Sequence, residues 1–212
     1  MCVHRVTWGF FSIICLLLTL VVKSQEIQII GAQVWTLKNL DIATFRNGDT
    51  IPEARTNEQW QKAALERTPA WCYYNNDPAN GVLYGRMYNW YAVADTRRLA
   101  PVGFHVPSKQ EWILLANYLG TIYLAGSAMK STIGWQNNGN GNNSSGFTGS
   151  PGGDRGPDGT FAYWGTDCFW SCATEYDVDG IWDYGLHSSN NELSELYANN
   201  KGHGFYVRCI RD

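Results

Sequence analysis

The apolar and polar positions give the chain three textures. Residues 26–37, "EIQIIGAQVWTL", alternate around Gly31, which predicts a short hairpin or bent strand pair. Residues 57–67, "NEQWQKAALER", place Trp60, Ala63, Ala64 and Arg67 at helical spacing, with Pro69 as a stop. The clearest helix is residues 106–120, "VPSKQEWILLANYLG". Ser108 and Glu111 have capping-box spacing, Trp112, Leu115, Ala116 and Leu119 make one apolar stripe, and Gly120 ends it. Such a stripe reads as core rather than as a binding surface. After Gly120 the chain is rich in Gly, Asn, Ser and aromatics, with short apolar pieces such as "TFAYWG" and "GFYVRCIRD". Short strands joined by long polar loops fit that texture. Helices early and strands late predict an α+β class with a mostly antiparallel sheet.

The longest apolar stretch, Trp8 to Val22, follows Arg5 and precedes Val22-Lys23-Ser24, which offers small residues at the −3 and −1 positions of a cleavage site. It is shorter than the roughly 20 apolar residues that a bilayer span needs. Ile13 and Ile14 ahead of Cys15 do not fit a lipoprotein signal. The reading is a signal peptide over residues 1–24, cleaved near Ser24, and a single domain over residues 25–212. That domain is expected to be secreted or displayed at the cell surface, without an integral membrane segment.

Charge narrows the partners. Cleavage removes Arg5 and Lys23 from the 16 basic residues, leaving 14 against 19 acidic ones. An acidic chain without Lys/Arg clusters argues against nucleic acid or anionic lipid. No H-E-x-x-H is present, and His105, His187 and His203 are far apart in sequence. "NNGNGNNSSG" lacks the strand-to-helix context of a phosphate cradle, and "GSPGG" is not a nucleophile elbow. Asp177, Asp179 and Asp183 offer oxygens of the kind calcium takes, although EF-hand spacing is missing; no other cofactor is expected. Four cysteines remain after cleavage, Cys72, Cys168, Cys172 and Cys209, and an even number in an exported chain reads as disulfides.

Several phrases line up with a known family. "IGAQVWTLKNL", "AWCYYNNDPANGVLYGRMYNWYAV", "LAPVGFHVPSKQEW", "AMKSTIGW", "SGFTGSPGGDRGPDGTF" and "GFYVRCIRD" together resemble the Fibrobacter succinogenes major paralogous domain, found in secreted or surface proteins of bacteria, notably Bacteroidetes. The resemblance covers nearly all of residues 25–212. It implies a C-type-lectin-like fold, shared with formylglycine-generating enzymes, in which the N- and C-terminal strands pair and long loops gather on one side. It also implies that Cys72 pairs with Cys209, since Ala100 stands where many members have a cysteine. Phe104 replaces a usual Trp, and "CFWSCAT" stands where most members read an aromatic followed by W-S-S-T.

Cys168 and Cys172 admit several readings. A zinc clamp lacks further nearby ligands. A redox pair is suggested by formylglycine-generating enzymes, whose late cysteines have a different spacing. A local disulfide needs a turn, because residues four apart on a straight strand lie about 13 Å apart. Finally, Tyr, Asp, His, Ser, Cys and Phe crowd residues 167–206, the residue types that retroelement-directed adenine mutagenesis produces in some lectin-fold proteins. The leading functional expectation is a non-catalytic binding domain, used in adhesion or recognition, for a protein or glycan ligand. Phe169, Trp170, Tyr176, Asp177, Asp179, Trp182, Tyr184 and His187 are the candidate contacts, because rigid aromatics beside Asp, Ser and Asn make adaptable binding surfaces. For Trp170, in the family's W-S-S position, a place in the core is the competing reading. The alternatives are an oxidase-like enzyme using Cys168 and Cys172, or an envelope or matrix component without a specific ligand.

Overall fold

A computed structural model describes residues 25–198 and 200–212; the stretch read as a signal peptide lies outside the described residues. In chain order the elements are β1 (Ile27–Ile30), β2 (Gln33–Thr36), α1 (Asn57–Leu65), β3 (Trp71–Cys72), α2 (Pro78–Tyr84) and β4 (Met87–Tyr88). Next come α3 (Trp90–Val93), β5 (Phe104–His105), α4 (Lys109–Tyr118) and α5 (Ala125–Met129). An all-strand half follows: β6 (Gly152–Arg155), β7 (Phe161–Trp164), β8 (Asp167–Glu175), β9 (Ile181–His187), β10 (Leu193–Ala198), β11 (Phe205–Tyr206) and β12 (Ile210–Arg211). The class is α+β, as the pattern predicts. Among the described residues, no helix is long and apolar enough to cross a membrane.

Two sheets organise the chain. The smaller has the order β1-β2-β12-β5, so the last strand is held between an early strand and β5, antiparallel to both. The pairing of terminal strands is therefore present. Gly31 turns the β1–β2 hairpin at φ +61°, and the Tyr118 ring would lie 2.7 Å from a Cβ there, so a side chain has neither the backbone angle nor the room. The larger sheet runs β10-β9-β8-β11-β4-β3, with the β6–β7 hairpin joined through β6 to β8.

Both helices predicted from periodicity form. Trp60 is the buried residue of α1, which ends at Leu65; Arg67 lies beyond it in a left-handed turn. In α4 Ser108 and Glu111 close the capping box, and Trp112, Leu115 and Ala116 are buried. Three short helices, α2, α3 and α5, are additions to the expected pair. Asp77 and Pro78 gave α2 a readable start, a cap followed by proline at the first helical position. Replacing Ser108 with Ala removes one partner of the first-turn amides and is expected to cost about 1 kcal/mol in a denaturant melt.

The main core lies between α4 and the inner face of the larger sheet. Trp112 stacks on Tyr184 at 4.9 Å between ring centres, and it also meets Trp35, Phe147 and Trp170. A second cluster, around Leu40, Phe45, Ile51, Tyr88, Val207 and Cys209, fills the space toward the smaller sheet. A third and smaller cluster, Phe169, Ile181, Ala198 and Phe205, lies on the outer face of the larger sheet. Phe169, Ala198 and Phe205 of this cluster line an open cleft.

Candidate functional site

Register decides which side chains meet. Phe169 pairs with Gly185 and Ser171 with Asp183 across β8 and β9, while Leu196 of β10 sits opposite Asp183. Strand residues alternate between faces, so Phe169, Ser171, Asp183, His187 and Leu196 share the outer face. Trp170, Cys172, Trp182, Tyr184 and Leu186 share the inner, helix-covered face. β6 adds Asp154 to the outer face, because Gly153 pairs in parallel with Cys168. Gly153 sits at φ +69°, and a Cβ there would run into the Ala162 carbonyl oxygen, so glycine lets β6 lie this close to β7. β11 contributes Phe205 from the other side.

Together these strands and the loop before β11 form an open cleft of about 340 Å³ lined by Asp154, Phe169, Asp183, Leu196, Tyr197, Ala198, His203 and Phe205. Its polar atoms are unusual. Asp154 Oδ1, Asp183 Oδ1 and His203 Nδ1 are buried without a hydrogen-bond partner, and so is Oγ of Ser171 beside Asp183. Asp154 is 7% exposed and Asp183 3%. His203 Nδ1 stands 3.9 Å from Asp154 Oδ2, beyond hydrogen-bond reach, and its ring stacks on Phe205. Burial pushes the Asp154 carboxyl up to about 7, helped by the Asp167 charge. Burial also raises Asp183 to about 7, with the Asp154 charge adding to it and the Ala198 backbone N–H opposing. Burial pulls His203 down, which keeps it neutral and unable to offset either acid.

These shifts make stability depend on pH. An aspartate ordinarily near 3.8 that titrates near 7 when folded holds a proton which the unfolded chain has already released. The contribution is therefore full below about pH 4 and is lost as pH rises through about 7. His105, raised by its bonds to Glu111 and Asp212 against burial, adds to that trend, while His203 opposes it. Melting temperature without ligand is expected to fall between pH 5 and pH 8. In an Asp154→Asn, Asp183→Asn double variant that fall is expected to shrink markedly.

The eight candidate contacts divide between the two faces. Phe169 lines the cleft, and His187 lies beside it, its ring 5.9 Å from Phe169 and Nδ1 bonded to Asp167 Oδ1. Trp170 and Tyr184 are corrections: both are fully buried in the main core, Trp170 donating to Asn39 Oδ1 and Tyr184 to the Lys109 carbonyl. Even numbers on β8 and β9 point inward, which puts these rings under α4 and out of reach of the surface. Tyr176 and Trp182 form a separate aromatic group with Tyr197 on the helix side, and Lys109 Nζ lies 3.2 Å over the Trp182 ring. Asp177, Asp179 and Asp183 do not converge. Asp177 Oδ1 accepts from the Asp179 and Gly180 amides, Asp179 faces Arg67 at 3.5 Å, and Asp183 lies on the sheet. Among the described residues, no three His, Cys, Asp or Glu side chains are grouped to hold a metal ion.

The expected disulfides are also corrected. Cys72, Cys168, Cys172 and Cys209 are all free and buried. Cys72 packs in the main core and Cys209 in the second cluster, so their thiols face different interiors. Cys168 and Cys172 lie on the same face of one continuous strand, and the register shift follows Ser171 instead of folding them together. Burial pushes the Cys72, Cys168 and Cys209 thiols up to about 12 and raises Cys172 as well.

Asp154, Ser171, His203 and Phe205 were not among the sequence candidates. A signal existed for Asp183, a lone acid inside the apolar strand "IWDYGLH". None existed for Asp154 or His203, which reach the cleft through long-range pairing of β6 and β11. No curated protein and no solved structure matches the chain. A family model does match, over residues 29–211, and by that match the chain belongs to the Fibrobacter succinogenes major domain family.

Proposed function

We propose that this protein is a secreted or surface-displayed, non-catalytic binding domain on a C-type-lectin-like scaffold, taking a protein or glycan ligand in the outer cleft of β8, β9 and β10. The observation that carries this reading is the set of buried, unpartnered polar atoms on Asp154, Asp183 and His203, which line an open cleft, and on Ser171 opposite Asp183. Each such group costs about 1–3 kcal/mol when it lacks a partner. A domain selected only for stability would replace them, whereas a ligand would satisfy them. The cleft volume falls at the lower end of small-ligand sites, which run from roughly 300 to 1,000 Å³.

The stretch with diversification-type composition supports the same face. Every cleft wall named above except Asp154 lies within residues 167–206. Substitutions at outer positions of paired strands leave the inner core untouched, which suits a binding surface that varies. Export is carried by the signal-type pattern of residues 1–24. The oxidase-like alternative requires a reactive thiolate, and full burial of Cys168 and Cys172 weighs against one.

An array of immobilised glycans and peptides tests the reading. Wild type is expected to give discrete hits, Phe169→Leu to weaken them at least about tenfold by loss of an anchor in the cleft, and Tyr176→Ala to leave them unchanged. Hits lost on Tyr176→Ala but kept on Phe169→Leu would move the site to the helix side. An array with no hits would favour the matrix component.

A further inference from the structure

We propose that the cleft receives an organic cation, a protonated alkylamine or a guanidinium, whose N–H groups donate to Asp154 and Asp183 and whose alkyl or planar body lies against the packed pair of rings, Phe169 and Phe205. This deepens the binding reading and depends on it.

Two carboxylates, each more than nine-tenths buried, line one cleft and each keeps a buried oxygen without a hydrogen-bond partner; Ser171, opposite Asp183 in the sheet, has an unpartnered Oγ as well. The nearby cationic side chains are committed elsewhere. Arg155, next to Asp154 in sequence, turns inward and donates to the carbonyls of Gly159, Ala54 and Thr56. Lys201 is held by Glu175 and the Val178 carbonyl, and Arg67 faces Asp179. Lys109 is paired with Glu195 on the opposite face. The remaining pair around the cleft, Asp167 and His187, bond to each other.

The apolar walls point the same way. An aromatic ring attracts a cation and repels an anion, so Phe169 at the cleft suits a positive group, while Phe205 is covered by the stacked His203 ring. A neutral polyol could supply hydrogen bonds to the carboxylates, but above about pH 7, where both acids ionise, it would leave their charge buried without compensation. Among the described residues, no three His, Cys, Asp or Glu side chains are grouped there to hold a divalent metal. A cationic group supplies donors and charge at once.

The ligand chemistry has two sources, a Lys or Arg side chain of a partner protein and a free small amine. Amide NMR of the protein at pH 8 separates them, with n-butylammonium, N-acetyl-lysine methylamide, N-acetyl-arginine methylamide, methyl glycosides and calcium chloride as probes. The expected result is saturable shifts at Phe169 and Phe205 with the cationic probes, weakened at least about tenfold in Asp183→Asn, a nearly isosteric change whose fold is checked by melting. Binding of the capped amino acids as tight as n-butylammonium assigns the site to a protein side chain; binding of n-butylammonium alone assigns it to a free amine. Shifts with a neutral glycoside and none with the cations would overturn the cation and keep the cleft as a binding site. Saturation by calcium instead of the amines would overturn it equally. No shift at these residues with any probe would overturn both readings.

Discussion

Trp112→Ala is expected to lower stability by about 3–5 kcal/mol, the range for emptying a large aromatic site in a packed core. Trp112 is fully buried where α4 meets the larger sheet, and its ring touches Trp35, Phe147, Trp170 and Tyr184. Those four come from β2, the loop before β6, β8 and β9, so one cavity would loosen contacts among four parts of the chain. Trp112→Phe separates packing from hydrogen bonding. The indole N–H has no partner, so phenylalanine gives up volume but no hydrogen bond. Its cost is expected to stay near 1–2 kcal/mol. Chemical denaturation of the three proteins checks the order, and equal losses for Ala and Phe would contradict a packing role.

The second large effect is expected at Arg155. Its side chain is fully buried, with Nε donating to the Gly159 carbonyl, one terminal nitrogen to the Ala54 carbonyl and the other to that of Thr56. The guanidinium lies 4.8 Å from the Trp60 ring centre and 4.5 Å from that of Phe161. It thereby ties the β6–β7 hairpin to the strand-like segment before α1. Arg155→Met keeps much of the volume but leaves three carbonyls without these donors. Unpaired buried groups cost about 1–3 kcal/mol each, and partial rehydration lowers their sum, so a loss of about 3–5 kcal/mol is expected. For a domain of this size that corresponds to a fall of roughly 10 °C or more in Tm. A change of only a degree or two would show that the carbonyls find other partners.

The sequence made some of this legible. Local periodicity found α1, α4 and the β1–β2 hairpin because those elements carry their own caps, stripes and turn residue. The family phrases anticipated the pairing of terminal strands, which no local pattern could show. The candidate site was read less well. Composition groups the aromatic residues between 167 and 206, yet alternation along β8 and β9 divides them, sending Trp170 and Tyr184 inward and Phe169 outward. The missing information was strand boundaries, since one residue's shift of phase exchanges the faces. Asp154 and His203 depended on contacts far apart in sequence. The disulfide expectation failed for a similar reason: an even count of cysteines says nothing about which interior each thiol enters.

Asp183 poses the central question: whether the cleft's buried acids serve a ligand or the fold. Asp183→Asn keeps the shape and removes one buried charge. If the acid is held for a ligand, thermal melting at pH 8 without ligand should show the variant as stable as wild type or several degrees more stable, because about one buried unpaired charge's penalty is relieved. A Tm several degrees below wild type would mean that the carboxylate supports the fold, and it would contradict the assignment of this cleft as a binding site.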